Sequence, residues 1–343
     1  MLEFYSNMAV YTNPGRFGKP TKTKVTDLDE QIKFIKRGIG SLPESLFQIG
    51  SSDGYSLSRF RDAGVEHVLG LEPSKASVHL AKQLYGVDTI LGDAESFKVE
   101  EQFELILLTH VLEHLFNPQE ALRKCRKLQE KFTEGFIYVE VPLLAGADSL
   151  VPGFFSFEHV NYYTRENLVQ SLKLTGYSVV SLVEHYNSNL SPVIGVLAST
   201  RSQMHCRGFK SEFQENKNTL ETFYQKEKQY WQQSLDSILL SIKKDDRVFL
   251  WGAGIHTTQL LANTNLLAHT SIDGLLDTSN LKWGKKQGDF VCMDPSSVKW
   301  RAGDAVIISS YASEKEIYDS LSNLRGIGVN TYRLHNIDEP RSH

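Results

Sequence analysis

A doubly wound, mostly parallel α/β sheet followed by a second, smaller α/β domain is the fold class that this sequence predicts. Three observations carry it. From residue 45 to about 200, short apolar runs alternate with amphipathic helical patterns, as in a parallel sheet covered on both faces. The same alternation restarts near residue 247. The length of 343 residues is that of about two domains.

The elements follow in order. Residues 1–44 are mixed. "TNPGRFGKP" has the Gly and Pro density of a loop, and "LDEQIKFIKRGI" sets Leu28, Ile32, Ile35 and Ile39 at helical spacing. Five strands are expected next: "SLFQIG", residues 66–73, 88–94, 103–111 and 135–144. Helical patterns such as "PSKASVHLAKQLYG" and "NPQEALRKCRKLQEKF" lie between them. "YSVVSLVEHY" and "NLSPVIGVLAST" are closely spaced, so the second can return beside the first as an antiparallel edge. These runs assign residues 45–200 to a first domain. Residues 201–245 read as a polar turn and then one or two amphipathic helices bridging the domains, with Leu220, Phe223, Trp231, Leu235, Ile238 and Ile242 repeating. Residues 246–343 make the second domain, opening on "RVFLWG".

Composition narrows the classes. Hydrophobic residues are 41% and charged residues 23%, and the net charge is -4. That permits real cores and disfavours a nucleic-acid partner. The first 20 residues hold no continuous apolar run, and no stretch approaches the length of a membrane span. A cytoplasmic location is the default expectation. Cys125, Cys206 and Cys292 lie far apart and form no metal knuckle, and His205-Cys206 would need distant help. No metal site is expected from them.

The chemistry starts at "FQIGSSDGYSLSRF", which reads as strand, tight turn and helix. Gly50 and Gly54 let the chain turn sharply and let a ligand approach the backbone. Glu72 ends the next strand, 22 residues after Gly50. An acid there can accept both hydroxyls of a ribose. Asp93 ends the third strand, where it can accept from an adenine amino group. All of these fall on the carboxyl ends of strands, the edge at which open α/β sheets bind ligands.

"IGSSDG", "GLEPS", "LGDAESF" and "LLTHVLEHLFNP" together resemble the successive motifs of class I S-adenosylmethionine-dependent methyltransferases, over roughly residues 45–200. The resemblance implies a seven-stranded, mostly parallel Rossmann-like sheet and S-adenosyl-L-methionine as cofactor. It would set Gly50, Ser51 and Gly54, with Asp53 in the same turn, around the methionine part. Glu72 would hold the ribose, Asp93 and Ala94 the adenine, and Thr109 and His110 the floor near the sulfonium. Gln48 replaces the usual acid of the first strand, and Ser52 the usual middle glycine.

"FEHVNYYT", residues 157–164, follows the fifth strand by about a dozen residues. In such a sheet that loop overhangs the cofactor edge, where a methyl acceptor must sit. A sugar hydroxyl, or a carbon beside a ketone, is a poor nucleophile while it keeps its proton. His159 has a suitable pKa to take it, and Glu158 can orient the ring or act instead. The structural alternative is that both residues cap the helix starting near Thr164. The stretch resembles the sugar C-methyltransferases of deoxysugar biosynthesis and related glycan methyltransferases. That resemblance implies His159 as base, Glu158 beside it, and Tyr162 and Tyr163 near the substrate. Ser156 stands where those enzymes carry a tyrosine, and their amino-terminal four-cysteine zinc module is missing from this sequence. "FLWGAGIHTTQLL" and "LLDTSNLKWGKKQGDFV" resemble the carboxyl-terminal domain of the same enzymes, which helps close over a nucleotide-sugar. His256 stands in place of a lysine there, and the helix N-terminus can hold a phosphate through Gly252, Gly254 and Thr257; the alternative is a structural Rossmann-like domain whose turn is idle.

The expected function is methyl transfer to a small molecule, a nucleotide-activated or glycan-linked sugar, at oxygen or carbon. Two alternatives stay open: an NAD-dependent nucleotide-sugar enzyme, and a noncatalytic binding module with the same fold. Neither the sugar nor the oligomeric state is legible.

Overall fold

The computed structural model describes residues 20, 22–151, 153–156, 158–187, 190–201, 212–243, 245–311 and 313–336. The chain forms two compact units. The described part of the first runs through Ala145 and resumes over Ser156–Tyr186 and from Pro192. The second takes Gly146–Phe155, part of 187–191 and the residues from 212 onward.

The first unit is built on a seven-stranded sheet in the order β3-β2-β1-β4-β5-β7-β6. Its strands are β1 (Ser45–Ile49), β2 (His67–Glu72), β3 (Asp88–Leu91), β4 (Leu105–Thr109), β5 (Phe136–Pro142), β6 (Ser178–Asn187) and β7 (Leu190–Ser199). The first five pair in parallel, and β7 runs antiparallel to β5. The sequence is apolar at nearly every position of the central strands because both faces are covered. Phe47, Ile49, Ile106, Leu108, Ile137 and Val139 point to one core, and Leu46, Leu105, Leu107 and Tyr138 to the other, as the two-residue period of a strand requires. Helix α1 (Lys22–Ile39) buries Leu28, Ile32 and Ile35 in the second of these cores, so it is part of this unit and not a separate segment. Helices α2 (Tyr55–Asp62), α3 (Lys75–Tyr85), α4 (Pro118–Lys127) and α5 (Arg165–Leu174) follow. Ser74, Asn117 and Thr164 cap the last three, each side chain accepting a backbone N–H of the first turn.

The second unit holds a six-stranded sheet in the order β10-β11-β9-β8-β12-β13. Its elements are α6 (Phe213–Leu239), β8 (Val248–Trp251), α7 (Ile255–Asn263), α8 (Leu266–His269), β9 (Ile272–Leu276), β10 (Lys286–Gln287), β11 (Phe290–Met293), β12 (Ala305–Ile308), α9 (Glu314–Ser320), α10 (Ser322–Gly326) and β13 (Asn330–Arg333). Residues 201–245 were expected to link the domains with one or two helices. The described part is one helix of 27 residues, and Trp231, Leu235 and Ile238 pack it into the core under β8 and β12. The three- and four-residue spacing that looked like a bridge is therefore a core stripe of the second unit. Among the described residues, no helix is long and apolar enough to cross a membrane.

Candidate functional site

In the first sheet the strand order reverses between β1 and β4, and ligands of such sheets bind at that switch point. A cavity of about 220 Å³ opens there. It is lined by residues at the carboxyl ends of β1 to β4, including Gly50, Glu72, Asp93, Ala94, Thr109 and His110, all expected from sequence. Ser52, Pro73, Val111, His114 and Leu115 also line it and were not expected.

The turn after β1 is set by backbone geometry. Gly50 has φ 72° and donates its N–H to the Leu71 carbonyl at 2.8 Å. A β-carbon there would stand 2.5 Å from Val111 Cγ2, so no other residue fits without moving the cavity wall. Ser52 also adopts the left-handed region, at φ 50°. That conformation aims its N–H at Glu72 Oε2, 2.9 Å away. Left-handed backbone costs an L residue about 1–2 kcal/mol, against about 0.5–1 kcal/mol for the extra freedom a glycine loses on folding. Ser52→Gly is therefore expected to stabilise the unit by about 1 kcal/mol or less. It should raise the melting temperature by about 2 °C and leave ligand affinity unchanged, because the N–H stays.

Glu72 is buried, and Oε1 accepts the Ser74 N–H at 2.9 Å. Burial pushes its carboxyl above the usual value, opposed by the Ser74 and Ser52 amides. Asp93 Oδ1 accepts the N–H groups of Glu95 and Ser96, and Oδ2 the Ser96 hydroxyl. Burial alone would raise its pKa, but the Ser96 hydroxyl and these amides outweigh that and hold it below the usual range. Asp93 thus stays ionised while lining the cavity.

Four expected ligands lie off the cavity wall: Gln48, Ser51, Asp53 and Gly54. Gln48 Oε1 and Ser51 Oγ are buried with no partner among the described residues. Asp53 Oδ1 accepts the Tyr55 N–H at 3.3 Å, inside the first turn of α2. Gly54 is packed so closely on α3 that a β-carbon would stand 2.9 Å from Ala81 Cβ. These residues shape the turn from beneath.

His110 and His114, on the other side of the cavity, belong to a cluster with Glu113, Glu140 and His159 behind the wall. His110, at φ 53°, puts Nδ1 3.3 Å from Glu113 Oε1 and Nε2 3.6 Å from Glu140 Oε1. His159 packs edge-on against His114, ring centroids 4.8 Å apart, and against Tyr162 at 5.9 Å. Burial, with His114 and His110 adding to it, lowers the pKa of His159 against the pull of Glu113. Its neutral form, the one able to accept a proton, is favoured.

The 158–164 loop is bolted to the short 3₁₀ turn Leu112–His114. The N–H groups of Val160 and Asn161 donate to the Glu113 carbonyl at 3.0 Å, and Asn161 Nδ2 donates to the Leu115 carbonyl at 2.6 Å. Helix α5 is capped by Thr164 itself, so Glu158 and His159 are not its caps. Phe157 lies outside the described residues, as do Tyr5, Tyr11, His205 and Cys206.

Several expected roles change. Glu158 holds His114 through its backbone carbonyl, 2.9 Å from Nδ1. Its carboxylate makes no hydrogen bond to His159 among the described residues, and the carboxylate whose charge acts on His159 is that of Glu113. Tyr163 is buried in the core with its hydroxyl unpartnered, and its carbonyl accepts the Leu144 N–H; it is a packing residue. Tyr162 staples the loop, its hydroxyl bonding both the N–H and the carbonyl of Ser156 at 2.9 Å.

In the second unit, Thr257 is fully buried, bonded to the Gly252 carbonyl and 2.8 Å from Ser309 Oγ. His256 Nδ1 lies 3.0 Å from Ser309 Oγ, and Nε2 lies 2.6 Å from His335 Nε2, beside Trp231. Burial brings the pKa of His256 down to about 4. Neither residue reaches out to a phosphate. Both hold the switch point of the second sheet from inside, because α7 turns these two side chains inward to Ser309, Gly252 and His335.

The comparisons with known proteins fit this division. Residues 28–182 match the family described as a methyltransferase domain. The first unit has a Rossmann-like methyltransferase fold. Residues 244–334 match a separate family described as C2185-like, N-terminal. Among solved structures, the chain is similar to the 1,6-didemethyltoxoflavin N1-methyltransferase of Burkholderia thailandensis, solved with 1,6-didemethyltoxoflavin and S-adenosylhomocysteine. Identity is 15% and the TM-score 0.45, over 57% of this chain and 86% of that one. It is also similar to an S-adenosylmethionine-dependent methyltransferase from Archaeoglobus fulgidus, at 14% identity and TM-score 0.43, over 51% and 91%. Likeness this slight carries neither substrate nor mechanism to this chain. No curated protein matches the chain.

Proposed function

We propose that the protein is an S-adenosylmethionine-dependent methyltransferase acting on a sugar, nucleotide-activated or glycan-linked. The observation that carries the reading is the cavity at the β1/β4 switch point, with a buried carboxylate at one end and a histidine cluster at the other. The residues fit the cofactor. The Glu72 carboxylate suits two ribose hydroxyls, Asp93 and Ala94 the adenine, and Gly50 a backbone approach no side chain would permit.

When bound, S-adenosylmethionine supplies the electrophilic methyl group. The chain's own residues orient the acceptor and accept its proton. His159, held next to the cavity residue His114, is neutral and sits on a bolted loop, which suits it to activate the acceptor. Acting alone, it would be a general base. Thr109 and His110 line the cavity floor between the two ends. The sugar assignment rests on the "FEHVNYY" pattern and on the pattern of the second domain, and oxygen is favoured slightly over carbon because Ser156 replaces a tyrosine.

S-adenosylhomocysteine at about a hundred times its Kd stabilises a binding domain by about 2.7 kcal/mol, or about 5–10 °C in melting temperature. That rise is expected here, with none from NAD. A screen of nucleotide-sugars with isotope-labelled methyl donor, read by mass spectrometry, should then show label in one of them. A rise with NAD alone would overturn the cofactor assignment, and label in no sugar would overturn the acceptor class.

A further inference from the structure

Glu113 is the most demanding residue of the histidine cluster. It is 1% exposed, yet its Oε2 has no partner among the described residues, and Oε1 has only the long contact to His110 and a 3.9 Å approach from His114 Nε2. A buried carboxylate left so poorly satisfied costs several kcal/mol and calls for an explanation. His159 Nδ1 is likewise buried with no partner among the described residues. A ring nitrogen of His114, one of His159 and an oxygen of Glu113 all lie within 4.8 Å of one another.

We propose that Glu113, His114 and His159 hold a divalent transition-metal cation at the rim of the cofactor cavity. One carboxylate oxygen and two imidazole nitrogens suit manganese, iron, cobalt, nickel or zinc better than magnesium or calcium, which take oxygen ligands. Bond lengths of about 2.0–2.2 Å put the ligands of a tetrahedral cation about 3.3–3.6 Å from one another, so ligand atoms at the 4.8 Å limit must close by a little over an ångström on binding. His114 is already in the ligating tautomer: Nδ1–H donates to the Glu158 carbonyl, so the Nε2 lone pair is the one that faces Glu113. A hydrogen bond from the far ring nitrogen to a carbonyl fixes metal-binding histidines in this way. The loop bearing His159 is fastened to the turn bearing Glu113 by three further hydrogen bonds, so the two segments are preorganised.

The competing account is a Glu–His pair sharing a proton. Glu113 Oε1 does meet His110 at 3.3 Å, but that pair leaves Glu113 Oε2 and His159 Nδ1 without partners among the described residues, and no hydrogen bond joins Glu113 to His159 although their ligand atoms are within 4.8 Å. Three protein ligands leave open positions, and His114 and His110 both line the cavity. An acceptor oxygen can occupy one of those positions, where the cation would lower its pKa. His159 would then act as ligand, and the acceptor's proton would leave to water. The choice of acceptor rests on the methyltransferase reading; the cation site does not.

The test uses the full, untagged chain, stripped with a chelator and titrated with cobalt(II). One equivalent should bind and give the visible absorption of a nitrogen- and oxygen-ligated ion. Glu113→Gln and, independently, His159→Asn should weaken binding by at least about tenfold. Calorimetry with S-adenosylhomocysteine on the same wild-type sample separates the two readings: cobalt binding without it would leave the cation site standing and remove the methyltransferase assignment. Absence of the cobalt spectrum in wild type, or an unchanged affinity in a folded Glu113→Gln or His159→Asn protein, would overturn the cation site.

Discussion

Glu72→Gln is expected to weaken S-adenosylhomocysteine binding by at least about tenfold, which is 1.4 kcal/mol. Hydrogen bonds to a charged group contribute about 1.5–3 kcal/mol each, and a ribose offers two. The substitution keeps the volume and removes half of the acceptors. The Ser52 and Ser74 N–H groups each already use one oxygen of Glu72, so a glutamine amide must present its NH₂ to one of them, donor against donor. The pH dependence follows from the same burial. The Glu72 carboxyl titrates above its usual value in the free protein, and ribose hydroxyls bind the ionised form. Binding therefore favours loss of the proton, and affinity falls as pH drops through the raised pKa of the free protein. The sign for folding is opposite: burial makes the ionised carboxylate costly, so this group contributes less stability as pH rises from the unfolded value to the folded one. Calorimetry across pH should show wild-type affinity declining on the acid side and a flatter profile in Glu72→Gln. Equal affinities in the two folded proteins would remove Glu72 from the ribose.

What the sequence made legible was whatever local pattern determines. Parallel strands buried on both faces read as apolar runs, and an acid closing such a run, as Glu72 does, falls at the binding edge whatever the helices do. The site's other half depends on long-range packing. Glu113 and His114 look like a helix start in "VLEHL", and only the docking of a loop some 45 residues away brings them to His159. Tyr162 and Tyr163 are adjacent phenols with opposite fates, one stapling a turn and the other buried in the core, because the isolated bridge between Leu143 and Tyr163 sets which one faces inward. Glu140 interrupts an apolar strand in "IYVEVP", a signal that was available: a charge in such a run needs a partner, and His110 and Tyr138 provide it. His256 and Thr257 were misread for the converse reason. A glycine-containing turn before a helix resembles a phosphate cradle, but the polar side chains of its first turn are consumed by Ser309, Gly252 and His335.

The second large effect is expected from His159→Asn, a fall in kcat of about a hundredfold or more. Asparagine keeps a polar side chain at the position but neither takes a proton at neutral pH nor replaces an imidazole as a metal ligand, so the loss is expected whether His159 works as base or as ligand. Cofactor affinity should stay near wild type, because His159 is not among the residues lining the cavity. Stability should change by under about 1 kcal/mol: Nδ1 has no partner to lose, and the ring is only half-buried, with edge contacts to His114 and Tyr162. Glu158→Gln provides the contrast. Its backbone carbonyl survives the substitution and still fixes His114, so kcat should change by less than about threefold. A Glu158 loss equal to that of His159 would mean that its carboxylate reaches the reacting atoms once substrate is bound. If His159→Asn turns over normally and melts several degrees lower, the histidine is a packing residue, and the 158–164 loop serves the fold rather than the chemistry.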